Sequence, residues 1–147
     1  MTKISFYHLA EENQTKSACL LLEKCYQGNL RSLVRTSDMD TQIAINNSLW
    51  TFAQKAFIPH GSSADPHPAL QPIYITTGME NPNQANLLML IGTLDGVYSD
   101  FERILVLIDG RDVAMVTAAK AAYHKLNTPS NSVKYYIQNE KGGWQEE

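Results

Sequence analysis

Apolar positions along the chain repeat with two periods, and the period identifies each element. Lys3–Leu9 is rich in β-branched and aromatic residues and predicts an opening strand. From Asn13 or Thr15 to about Gln27, the residues Ala18, Leu21, Leu22 and Cys25 fall on one helical face, and Gly28 stands where a helix is capped. Asn29–Thr36 reads as a second strand. Asp38 or Asp40 then opens a second helix through Ile43, Ala44 and Asn47 into Trp50. Between Pro59 and Pro72 lie four of the six prolines, with Gly61, Ser62 and Ser63 among them, which predicts a loop. Pro72–Thr77, Asn86–Gly92 and Arg103–Ile108 follow as strands, and their unbroken apolar runs suit strands covered on both faces. Asp109, Gly110 and Asp112 make a turn into a helix from about Arg111 to Leu126. Val133–Gln138 is the expected last strand, with residues 142–147 as a tail.

Strands alternating with helices predict a three-layer α/β domain, with a mostly parallel central sheet and helices on both faces. The pattern does not set the strand order. A length of 147 residues fits one domain, residues 1–147, able to bury a core without disulfide or metal. Cys19 and Cys25 are six apart in one predicted helix, a spacing for neither zinc nor a C-x-x-C pair, so they read as free thiols. The first residues lack a basic leader ahead of a long apolar run, and no stretch approaches the ~20 apolar residues of a membrane span. A soluble, cytoplasmic protein is expected.

Charge changes the picture more by its distribution than by its total. The net charge of −3 disfavours wholesale coating of nucleic acid. Residues 1–50 hold five bases and five acids, residues 51–102 hold Lys55 and five acids, and residues 103–147 hold six bases and five acids. No Lys or Arg occurs from Ala56 to Glu102, so an anion site must draw its cations from the two ends.

Catalytic and cofactor chemistry finds little support. A nucleotide-binding α/β domain needs a glycine-rich turn after its first strand, and residues 10–16 contain no glycine. His8, His60, His67 and His124 form no metal motif, and neither cysteine sits in a nucleophile motif. Asp38 and Asp109 stand at strand ends, where they serve as helix caps or, in an alternative reading, line a small-molecule or nucleotide site.

Two constellations remain. Leu49-Trp50 and Phe57-Ile58-Pro59-His60 bracket a helix end and a loop. They either close the core and staple the loop, or form an apolar patch for a protein partner. On the late helix, Val113, Val116, Tyr123 and Leu126 approximate one apolar face, and Thr117, Lys120 and His124 share a neighbouring stripe. That stripe is either a solvated helix back or a small cationic and aromatic pocket for a carboxylate. Ile108 and Val116 are expected at its apolar edge, with Lys125 or Arg111 as further bases.

With these residues, the chain resembles the DNA polymerase III chi subunit family. The resemblance spans nearly its whole length. It rests on Phe6-Tyr7-His8-Leu9, Leu49-Trp50, Phe57-Ile58-Pro59-His60 and Gln71-Pro72-Ile73-Tyr74-Ile75. Asn86-Leu87-Leu88, Phe101-Glu102-Arg103, Ala119-Lys120, Tyr123-His124 and Gly143-Trp144-Gln145 complete it. It implies a Rossmann-like, non-enzymatic adaptor of DNA replication, with no catalytic residue, cofactor or metal, that meets DNA only indirectly. Family members bridge the psi subunit, which leads to the clamp loader, and the acidic C-terminal tail of single-stranded DNA-binding protein. The resemblance carries psi contact, for which a helicase can compete, onto Trp50, Phe57 and Pro59. It carries tail contact onto Lys120, Tyr123 and His124. The family's usual arginine is Lys120 here, which keeps the charge but not the planar fork, and the lysine after the tyrosine is His124.

Overall fold

A computed structural model describes residues 2–9, 14–51, 60–62, 69, 71–96, 98–139 and 143–146. The predicted strands fall into place as β1 (Thr2–Leu9), β2 (Ser32–Thr36), β4 (Ile73–Thr76), β5 (Leu87–Ile91), β6 (Arg103–Asp109) and β7 (Asn131–Gln138). Two short strands had no readable signal: β3 (Gly61–Ser62) and β8 (Trp144–Glu146). The helices are α1 (Gln14–Gln27), α2 (Met39–Thr51) and α3 (Val113–Leu126).

All eight strands join one sheet in the order β3-β4-β2-β5-β6-β1-β7-β8. Every pairing is parallel except that of β7 with β8. The fold is therefore the expected three-layer, Rossmann-like α/β arrangement. Strand alternation sends residues to opposite faces. Leu9, Val34, Ile73, Leu87, Met89, Leu105 and Leu107 pack under α1 and α2, where Ala18, Cys19, Leu22, Ile45 and Leu49 meet them. Ile4, Phe6, Leu33, Leu88, Leu90, Ile104, Val106 and Ile108 face the other way, toward Ala119 of α3 and the buried Phe101. The long apolar runs of β5 and β6 are thus explained, since both strands are covered on two sides.

Local chemistry sets the boundaries. The Asp38 carboxylate accepts the Thr41 N–H at 2.7 Å and the Thr41 hydroxyl at 2.8 Å, so Asp38 caps α2. Asp112 accepts the Met115 N–H at 3.1 Å and caps α3. β2 begins at Ser32 rather than Asn29. Asn29 takes a left-handed backbone (φ 61°) that turns the chain out of α1, which no strand residue adopts. The tail was expected to be outside the sheet, but Trp144–Glu146 pairs antiparallel with β7. Gly61–Ser62 pairs with Tyr74 and Ile75 inside the expected loop, because the exposed edge of β4 offers free backbone groups. Cys19 and Cys25 are both free and buried, and burial pushes the Cys19 thiol up to about 11. No helix among the described residues is long and apolar enough to cross a membrane.

Candidate functional site

The chain leaves β6, crosses as α3, and returns as β7 on the far side of β1. α3 therefore lies over β1, and β7 is in register with β1 so that Phe6 is beside Tyr135. This crossing makes a cavity of about 360 Å³ between α3 and β7. Its described lining is Lys120, Tyr123 and His124 from α3 and Tyr135 from β7. The structure thus brings the three late-helix candidates together and adds a fourth residue that the pattern did not identify.

The walls are aromatic and interlocked. Tyr123 meets Tyr135 edge to face, with ring centres 6.0 Å apart at 85°. His124 meets Tyr123 at 5.4 Å and 76°. Beneath them the fully buried Phe6 stacks on Tyr135 at 5.9 Å and 18°, and meets Tyr123 edge-on at 6.2 Å. Such pairs hold rings in fixed orientations and stabilise by about 0.5–1.5 kcal/mol each beyond the area they bury. The Tyr135 hydroxyl lies 3.0 Å from Nδ1 of His8, on the same face of β1 two residues beyond Phe6. Gly110 makes room for this histidine. A Cβ at Gly110 would stand 2.5 Å from the Leu9 carbonyl oxygen and 2.6 Å from His8 Nε2.

One amine gives the cavity its charge. Lys120 is exposed, and its Nζ lies 5.9 Å from the centre of the Tyr135 ring. No acid among the described residues pairs with it. Arg111 does not supply the second base. Its guanidinium holds Asp109 at 3.0 Å (Nη2) and 3.1 Å (Nε), and the Arg111 bonds keep the Asp109 carboxyl below its ordinary range. Lys125 is exposed on the next position of the helix. The arrangement can take an apolar side chain between rings and a carboxylate at the amine.

Several expectations need correction. Ile108 is fully buried under α3, and Val116 packs into the same core, so Tyr135 rather than either residue walls the cavity. Val113 was expected on the apolar face of α3, yet it is 77% exposed, as the first residue of the helix beside its Asp112 cap. The inward face is Met115, Val116, Ala119, Ala122, Tyr123 and Leu126. Asp38 and Asp109, the acids of the alternative small-molecule reading, are engaged in the α2 cap and the Arg111 pair. Phe57, Pro59 and the side chain of Trp50 lie outside the described residues. Their neighbour His60 is buried and bonds the Asn46 carbonyl of α2 at 3.0 Å. No group of three or more metal-ligating side chains occurs among the described residues.

Tyr135 escaped the pattern for a physical reason. The alternation Val133, Tyr135, Ile137 marks it as facing one side of a strand, but only the strand order shows that this side meets α3.

Comparison with known proteins adds a family to this geometry. The family model described as DNA polymerase III chi subunit, HolC, matches residues 1–132. A relative named "Probable DNA polymerase III subunit chi" from Rickettsia prowazekii (strain Madrid E) is 36% identical over 152 aligned positions, covering 98% of this chain and 91% of the relative. A protein named "DNA polymerase III subunit chi" from Pseudomonas aeruginosa (strain PAO1) is 26% identical over 113 positions, covering 74% of this chain and 78% of its own length.

Proposed function

Because the chain belongs to the DNA polymerase III chi subunit family, we propose that it is a cytoplasmic, non-enzymatic tether between the polymerase III holoenzyme and single-stranded DNA-binding protein. The observation that carries this reading is the cavity of Lys120, Tyr123, His124 and Tyr135. The acidic tail of the DNA-binding protein ends in an apolar side chain and a free carboxylate. The ring walls receive the side chain, Lys120 pairs with the carboxylate, and Lys125 attracts the acids upstream. Exposed pairs of this kind contribute little each and are screened by salt, so affinity is modest and falls as salt rises. Several tails on one coated strand raise the net hold by avidity. DNA is thereby reached through the protein that coats it.

On the other side of the bridge, Trp50, Phe57 and Pro59 meet psi, with a helicase as competitor for the same residues. The family resemblance supports this assignment.

Titration of a labelled tail peptide into the parent chain, Lys120→Ala and Tyr123→Ala tests the tail site. Each variant is expected to weaken binding, and equal affinity in all three would remove the assignment. A combined Trp50→Ala and Phe57→Ala variant is expected to lose co-purification with psi while still binding the tail peptide. Loss of both together would make these aromatics core residues instead.

A further inference from the structure

Eight strands about 4.8 Å apart make a sheet roughly 34 Å wide, whereas a helix with its side chains is about 10–12 Å across. Two helices cannot roof such a face. α1 rides over β2 and β6, and α2 over β2, β3 and β4. At β1 only Leu9 and Tyr7 reach the core under α1, and among the described residues no helix lies across β7 and β8 on that side. α3 covers β1 and β7 from the opposite side only.

The face that the described residues leave open has its own composition. Alternation presents Lys3, Ser5 and Tyr7 from β1, Ser132, Lys134 and Tyr136 from β7, and Trp144 from β8. Register sets Lys3 beside both Arg103 and Ser132, Ser5 beside Lys134, and Tyr7 beside Tyr136. Tyr7 and Tyr136 stack with centres 5.3 Å apart at 18°, and Trp144, 38% exposed, meets Tyr7 edge-on at 5.1 Å. Arg103 is common to three adjoining hollows of about 560, 440 and 290 Å³. The largest runs between α1 and the open face, bounded by Lys24, Leu21, Arg103 and the three aromatic residues. Lys3, Lys24, Arg103 and Lys134 are all exposed, and none is in an ion pair among the described residues. Among the described residues Glu102 and Glu146 stand against these four cations, so the described part of this face is locally positive on a chain of net charge −3.

We propose that this open sheet face binds single-stranded nucleic acid directly, with a base seated against Tyr7, Tyr136 and Trp144 and phosphates at Lys3, Lys24, Arg103 and Lys134. A single strand carries a charge and a planar ring in every residue, and a sheet that sets bases beside aromatic rings complements both. An acidic peptide would satisfy the cations alone. The acidic balance of the whole chain argues against coating DNA but not against a contact where the cations are gathered on one face. This contact goes beyond the tail reading. It lies on the opposite side of the sheet from Lys120 and Tyr135, so the two sites can be broken separately.

The test is fluorescence anisotropy with a labelled oligothymidine of about ten nucleotides, titrated with the full chain at low salt. Saturable binding is expected, falling as salt rises. Lys3→Glu combined with Lys134→Glu should weaken it about tenfold or more. Trp144→Ala should weaken it about fivefold or more, through lost stacking. Strand addition should quench tryptophan fluorescence in the parent and not in Trp144→Phe. Lys120→Ala should leave oligonucleotide affinity unchanged while weakening the tail peptide. The proposal is overturned by absence of saturable binding, or by affinity that survives the double charge reversal. It is equally overturned if thymidine monophosphate competes as well as the strand, nucleotide for nucleotide, or if an acidic peptide quenches Trp144 and the oligonucleotide does not.

Discussion

Lys120 of α3 and Tyr135 of β7 meet across the cavity, with the lysine Nζ 5.9 Å from the centre of the tyrosine ring. At an exposed amine this contact is worth about 0.5–1 kcal/mol. It biases Lys120 toward the cavity mouth without neutralising its charge, which stays available to a carboxylate. The tyrosine that orients the lysine is itself fixed by Phe6 below and His8 at its hydroxyl. The pocket is therefore a surface feature built on two contacts between β1 and β7, Phe6 with Tyr135 and His8 with Tyr135.

The first prediction concerns the cation. Lys120→Arg keeps the charge and adds a planar fork that can grip a carboxylate with two hydrogen bonds. Tail-peptide affinity is expected to rise a few-fold, while Lys120→Ala lowers it about two- to fivefold. Calorimetric titration at two salt concentrations reads both, and the gap between variants should narrow at the higher salt.

Tyr135 separates packing from hydrogen bonding. Tyr135→Phe keeps the stack on Phe6 and removes the hydroxyl that meets His8, at a cost of about 1 kcal/mol. Tyr135→Ala empties a position that is 3% exposed and should cost about 3–5 kcal/mol. Denaturant melts give both differences. A phenylalanine variant as unstable as the alanine one would mean that the hydroxyl, not the ring, holds β7 to β1.

Gly110 controls the same assembly from a distance. A methyl there collides with a backbone oxygen of β1 and with the His8 ring, and the backbone cannot yield as a long side chain can. Gly110→Ala is expected to lower the Tm and to weaken tail binding together, by displacing His8 and with it Tyr135. An unchanged Tm would show that the turn before α3 has slack.

Acid sensitivity follows from carboxyls held low in the fold, Glu80 and Asp109 among them. Burial pushes Glu80 up, but bonds from its own N–H, the Thr76 hydroxyl at 2.8 Å and the Tyr74 hydroxyl at 3.2 Å, with the charge of Arg35, bring it below its ordinary 4.5. Asp109 is held below its ordinary 3.8 chiefly by the side-chain bond from Arg111. Both carboxyls bind protons less readily folded than unfolded, so unfolding takes up protons in acid. Their contribution is complete above the unfolded values and is lost as pH falls through the lower folded ones. The Tm should be flat near neutrality and fall below about pH 4.5, with a shallower fall in Glu80→Gln.

The order of elements could be read along the chain because each rests on local periodicity and capping. The runs Leu87–Ile91 and Arg103–Asp109 are strands by their apolar continuity, and Asp38 and Asp112 start helices by hydrogen bonds three residues away. Lys120, Tyr123 and His124 were recognisable as one site because i, i+3 and i+4 positions of a helix are neighbours whatever it packs on. Tyr135, the open face of Lys3, Tyr7, Lys134 and Tyr136, and the pairing of Trp144 were not recognisable. Each depends on which strand lies beside which, and the energy that decides it is shared among residues more than a hundred positions apart, as Phe6 and Tyr135 are. The sequence alone thus determined the three helices, six of the eight strands and a helical stripe of candidates. The tertiary structure decided that β7 lies outside β1, which closes one cavity under α3 and, among the described residues, leaves the opposite face of β7 without a helix across it.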